Sequence, residues 1–315
     1  MDARESFVSA RKRRWERLEV LLGGRPHGAA EWSELAALYR GLCADLARAQ
    51  STDTPKDVVH YLDDLAGRAH NKLYASRGAG GLRRLARLVF AEFPREVRRQ
   101  WAYFLVACLL FYGPFVLGAI GAYLDAGFAT SVLPESMLKQ MESMYSTDVG
   151  RAGAGQDITM AGFYVWNNVG IALRCFVTGI FAGLGSIFFL VYNGMVLGVV
   201  EGYLWSVGRG WNLLTYTAGH TAWELTGVVV SGTAGLRLGA ALVITGGRTR
   251  GGSLRAAAPS LYRLVVGATA LLLVAASIEG FWSASPLPPA AKYVFGVFQV
   301  LIVAAWLLLG GRGRR

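Results

Sequence analysis

Charge is scarce in this chain. Charged residues make up 17% of its 315 positions, where an ordinary soluble domain carries about a quarter. Acidic residues all but vanish past residue 160, where only Glu201, Glu224 and Glu279 remain. Cysteine is nearly absent too: Cys43, Cys108 and Cys175 form no C-x-x-C pair, which argues against a disulfide framework. The opening MDARESFVSARKRRW has no apolar core, so no cleavable signal is expected. P-loop, nucleophile-elbow and dinucleotide fingerprints are missing as well. An ATPase role for the chain is thereby disfavoured.

What is abundant is apolar sequence, 53% of the chain, most of it after Trp101. The runs suit an all-α polytopic membrane protein, a six-span helical bundle behind an N-terminal cytoplasmic helical domain. The first span is expected at Trp101 to Leu124. Residues 125–160 read as an outer acidic loop, with a short amphipathic helix at Met137 to Tyr145 and a flexible RAGAGQD stretch beyond it. Phe163 to Trp205 is one apolar tract of 43 residues, too long for a single crossing. The small residues from Ala182 to Ser186 divide it in two. Further spans follow at Ala218 to Val243, Leu261 to Phe281 and Lys292 to Leu309, within a five-span segment 161–310, and a basic tail closes the chain at 311–315.

The net charge of +11 invites a nucleic-acid reading. Its distribution speaks against one. The basic residues mostly flank apolar runs, including Arg248, Arg250 and Arg255 between the fourth and fifth spans, where they set orientation. With both termini cytoplasmic, six spans place every arginine-rich segment inside and the acidic loop outside. Within residues 1–100, the segment LRRLARLVFAEFPREVRRQW is basic and amphipathic. It reads as an interfacial helix on the anionic leaflet.

The three late carboxylates each fall in a separate span, where charge is costly and marks function or a paired structural site. Asn167, Asn168, His220 and Glu224 lie toward the outer ends of the second and fourth spans. Glu201 and Glu279 lie toward the outer ends of the third and fifth. Arg174 shares a face with Asn167 and is a candidate countercharge, and Asn193 adds a polar group on the third span. Three readings compete for this intramembrane polar cluster: a structural network, a proton or ion relay in a transporter, and a metal site. His220 and Glu224 at i, i+4 suit zinc or manganese, but the second histidine of H-E-x-x-H is missing.

Two ladders of small residues accompany the cluster. Gly227, Ser231, Gly235 and Gly239 run below His220 and Glu224 on the fourth span. Gly194, Gly198 and Gly202 run along the third. Each is a small-xxx-small seam. Their similarity suggests that these two helices pack together, or that they form a dimer seam.

These residues resemble the stage II sporulation protein M family. The likeness is carried by RAHNKLY at Arg68 to Tyr74, Phe93-Pro94, WNN at Trp166 to Asn168, and NGMVLG from Asn193 to Gly198. It continues through GHTAWEL, GTAGLRLG and ASIEGF, the last at Ala276 to Phe281. Thr221 departs from it, standing where the family pattern has glycine. The resemblance implies a membrane anchor for peptidoglycan-degrading partners in spore formers, and membrane proteins of unclear role elsewhere. The expectation is a non-enzymatic scaffold in a bacterial or archaeal cytoplasmic membrane, with the lipid bilayer, other membrane or envelope proteins and a second copy of itself as partners. No cofactor and no nucleic acid are expected. A transporter of a lipid or small solute and an intramembrane metal-dependent enzyme are the alternatives.

Overall fold

In the computed structural model the described residues are 3–24, 28–52, 54–75, 78–146, 168–283 and 285–312, and all their regular structure is helical. The chain divides into two compact units, Met1–Leu85 and Ala86–Arg315.

The first unit is built on α1 (Ala3–Gly23), α2 (Ala29–Ser51) and α3 (Lys56–Ala75). Leucines at helical spacing give each helix one apolar stripe. Leu18, Leu35, Leu42, Leu62 and Leu65 close into a core around Trp15. One acid is taken into it: Asp45 accepts from Arg11 Nε at 2.6 Å and from Trp15 Nε1 at 3.1 Å. The surface is polar, as the sequence leads one to expect.

The second unit begins within α4 (Gly78–Arg87), which passes through a π turn at Leu88–Glu92 into α5 (Phe93–Arg99). The interfacial-helix expectation needs correcting here. Phe93, Glu96 and Val97 are buried, and Phe93 and Val97 join the core formed by Leu261 and Leu264. The second half of the basic segment is therefore docked on protein. Its arginines are used internally: Arg98 donates to the carbonyls of Leu307 and Gly310, and Arg95 to that of Gly311. Those are orphan carbonyls at a helix C-terminus, where cations are favoured.

Among the described residues, five helices are long and apolar enough to cross a membrane: α6 (Trp101–Leu124), α10 (Leu184–Ser206), α12 (Thr221–Val243), α13 (Arg250–Ile278, continued by a π turn to Ser283) and α14 (Pro289–Leu309). The expected second span is represented by the shorter α9 (Asn168–Ile180). The residues before it, and the RAGAGQD stretch, lie outside the described residues. Between α6 and α9 come α7 (Ala126–Val132) and α8 (Glu135–Met144), which pack Leu133 and Leu138 against Val199 of α10. Leu109, Leu117, Val294 and Leu301 point outward from α6 and α14. Apolar side chains exposed along whole helices are what a lipid-facing surface presents.

The break at Ala182 to Ser186 is a tight corner. Ala182 and Gly183 take φ of 54° and 86°. Ser186 Oγ donates to the Cys175 carbonyl across the corner at 2.6 Å, satisfying a backbone group freed near the end of α9.

The two small-residue ladders find different partners. A side chain at Gly194, Gly198 or Gly202 would overlap the carbonyl oxygens of Phe111, Phe115 and Ala119 in turn. The α10 ladder is therefore filled by α6, running parallel to it in the same chain. It does not face α12. On α12, Gly227 meets Leu272 of α13, while Gly235 and Gly239 meet Ser186 and Gly183 at the corner. The α12 seam is shared among α13, the end of α9, whose Cys175 and Phe176 carbonyls also face Gly235, and the start of α10.

Candidate functional site

The polar residues that do converge sit where three helix ends meet. His220 immediately precedes α12, so α12 starts three residues later than the sequence reading placed it. It follows α11 (Gly210–Thr217), a short helix whose Tyr216 ring lies edge-on to the imidazole at 5.7 Å between centroids. Glu224 is in the first turn of α12, where unpaired N–H groups favour a carboxylate. Glu279 opens the π turn that ends α13. A π turn adds a residue to the helical repeat and re-aims the side chains that follow; such turns recur at functional sites.

His220 is the centre of the group. Its Nε2 lies 3.7 Å from Glu224 Oε2 and 3.9 Å from Glu279 Oε1. One ligand atom from each of the three residues lies within 4.8 Å of the other two. The other ring nitrogen, Nδ1, is 2.9 Å from Ser283 Oγ, one turn beyond Glu279. Lys292, near the start of α14, is buried and donates to the Ser283 backbone carbonyl at 2.6 Å. His220 and Glu279 are 3% and 5% exposed. The Glu224 side chain keeps 21% of its surface open, the one open flank of the trio.

The remaining expected members stand apart from the trio. Glu201 is at the same end of the unit, but its Oε1 accepts from Trp205 Nε1 on its own helix at 3.0 Å. Asn193 donates to the Phe189 carbonyl one turn back. Arg174 is exposed on α9, so it is no countercharge to a buried glutamate. Asn168 is buried and Asn167 lies outside the described residues. Thr221 turns its hydroxyl back to the Thr217 carbonyl at 2.7 Å, away from the trio.

Sequence reasoning missed a second buried carboxylate at the opposite end of α13. Glu96 is 4% exposed and takes hydrogen bonds from Ser260 Oγ at 2.5 Å and Gln100 Nε2 at 3.0 Å. Arg99 Nη2 lies 2.8 Å away and Arg263 Nη1 3.5 Å away, and Arg263 also binds Glu92. Burial pushes the Glu96 carboxyl up, but the Ser260 and Gln100 hydrogen bonds and the Arg99 charge outweigh it and hold it below the usual carboxylate value. Glu96 sits in a basic, polar-looking segment, and its partner Ser260 is 164 residues on. No local spacing connects the two.

Chemically, the two sites differ. The Glu96 site is closed, each carboxylate oxygen facing a donor. The His220 site is under-satisfied: Glu279 Oε2 is buried without a hydrogen-bond partner.

Two family models match the chain. That for stage II sporulation protein M covers residues 103–284, more than half the chain, and includes the whole His220 trio. A domain of unknown function (DUF8413) covers residues 5–75, the three helices of the first unit. No curated protein and no solved structure matches.

Proposed function

The chain belongs to the stage II sporulation protein M family, and on that premise we propose that it is a non-enzymatic scaffold of a bacterial or archaeal cytoplasmic membrane, positioning partners that remodel the cell envelope. The observation that carries this reading is the two-unit build. A helical unit with its own core and polar surface is joined to a membrane unit with a lipid-facing surface, and each matches a separate family model.

Charge and packing support the orientation. α6 and α10 run parallel, which supports a return crossing between them with α9 as its described part. Arg95 and Arg98 cap the end of α14, which brings the start of the membrane unit and the end of the chain to one face. That face also carries the arginine-rich α13 start and is cytoplasmic by the positive-inside rule. α7 and α8 then form the outer docking surface.

Cross-linking the full-length chain in its native membrane tests the reading. Envelope hydrolases or their membrane companions should co-purify, and reversing the charges of the exposed Glu135–Lys139 pair should deplete them. Recovery of no envelope protein from either form would sink the proposal. A second reading, transport of a lipid or small solute, is favoured by the buried His220 trio. It calls for flux in liposomes that falls with Glu279→Gln, and wild-type vesicles as tight as empty ones would remove it.

A further inference from the structure

We propose that His220, Glu224 and Glu279 bind one divalent first-row transition-metal ion, with Ser283 fixing the histidine. This inference is independent of the scaffold reading.

Three observations carry it. The first is spacing. Ligands at about 2.0–2.2 Å from a tetrahedral ion lie roughly 3.4 Å from one another. The His220 Nε2 separations of 3.7 and 3.9 Å from the two carboxylates exceed that by only a few tenths. All three ligand atoms lie within 4.8 Å of one another, and rotamer changes in the two glutamates would draw them onto the ion. The second is an orphaned acceptor. Glu279 is 95% buried, and its Oε2 has no hydrogen-bond partner. A buried carboxylate without a donor is expensive, and a cation is the partner that removes the cost. Lys292 is the nearest buried ammonium, but it is spent on the Ser283 carbonyl, and among the described residues no ion pair links it to either glutamate. The third is the second shell. Metal-bound histidines use their other ring nitrogen on an oxygen partner, which fixes the tautomer and the ring plane. His220 Nδ1 does this with Ser283, and Nε2 is left facing the carboxylates.

The charge balances as well: two carboxylates and a neutral imidazole around a divalent ion sum to zero. One nitrogen and two oxygens suit zinc, manganese or iron(II) better than a soft ion. Glu224, whose side chain is 21% exposed, is the flank from which the ion would reach the site.

The test uses the full-length chain in detergent, freed of any purification tag and stripped with chelator. It is loaded with zinc or manganese, desalted, and analysed for metal per chain, with melting followed in parallel. About one ion per chain and a higher melting temperature are expected. Glu279→Gln and His220→Gln should each lose at least tenfold in affinity, and Ser283→Ala about tenfold, as for other second-shell partners. Wild type that retains no metal overturns the proposal, as does Glu279→Gln that retains as much as wild type. If His220→Gln does not fold, the wild-type stoichiometry and Ser283→Ala still decide the matter.

Discussion

Gly198→Ala tests the close approach of α10 to α6. At Gly198 an added Cβ would overlap the Phe115 carbonyl oxygen and sit 2.8 Å from the carbonyl carbon and 2.9 Å from Cα. Comfortable carbon contacts need about 3.5–4.0 Å. Backbone cannot rotate away as a side chain can, so α6 and α10 must separate by about 1 Å. Gly194 and Gly202 make the same contact one turn either side, against Phe111 and Ala119, so the separation loosens all three. Overpacking of this kind costs about 1–3 kcal/mol. For a unit of this size each kcal/mol moves the midpoint by about 2–4 °C, so a fall of roughly 2–12 °C is expected. Gly170→Ala in α9 is the control, since nothing lies within 4 Å of its added Cβ. There the methyl group only restricts the unfolded chain, and no loss, or a gain of up to about 1 kcal/mol, is expected. Thermal unfolding of the purified chain in one detergent, followed by loss of the monodisperse peak, reads both. If Gly198→Ala melts with wild type while Gly170→Ala falls, the α10 ladder does not face α6 and the packing scheme fails.

Three further outcomes are expected. Asp45→Ala removes the buried carboxylate to which Trp15 Nε1 and Arg11 Nε donate, costing the first unit about 1–3 kcal/mol; limited proteolysis should then cut within residues 3–75 sooner than in wild type, and unchanged cutting would contradict the contact. Glu96→Gln is expected to lower stability at pH 7. The folded-state pKa of Glu96 is depressed below its ordinary value near 4.5, so its contribution is present above that value and is lost as pH falls through the depressed one. Melting curves of Glu96→Gln and wild type should therefore converge in acid, and a pH-independent gap would contradict this. Gly183→Ala meets no close atom but must hold φ of 86°; it should cost about 1–2 kcal/mol from backbone strain alone, seen as an earlier melt.

Depth along a helix is readable from sequence, because hydropathy locates the ends of each crossing. Direction around a helix, relative to a neighbour not yet placed, is not. That is why the count of late carboxylates brought Glu201 to the level of His220, Glu224 and Glu279, although it turns to Trp205 on its own helix. The glycine ladders show the same limit. A seam of small residues says that some backbone comes close, and α10 and α12 carry similar seams for different partners. Helix starts failed for a different reason. Hydropathy placed the fifth span at Leu261, since Arg250 and Arg255 look like linker. The helix begins at Arg250, capped by Thr249 Oγ1 accepting from the Gly252 N–H at 3.1 Å. That Thr-x-x-Gly start is a local capping signal which outweighs two arginines able to reach water.

α13 also explains why polar groups gather where they do. Ser260, which holds Glu96, and Glu279, which joins His220, are 19 residues apart on this one helix. At 1.5 Å per residue that is about 28 Å, close to the ~30 Å of a bilayer's hydrocarbon core. At that spacing neither buried acid has to be held at the centre of an apolar layer, where a charge costs most. Aromatic residues gather at the His220 end: Trp211 meets Trp205 edge-on at 5.2 Å between centroids and Tyr293 at a tilt at 6.3 Å, the kind of ring cluster that belt positions favour. The difference between the two edges is then chemical. At the Glu96 edge arginines are plentiful and complete the site from within the chain. At the other edge the sequence supplies a histidine, two carboxylates and one committed lysine, and among the described residues the Glu279 Oε2 atom is left without a donor.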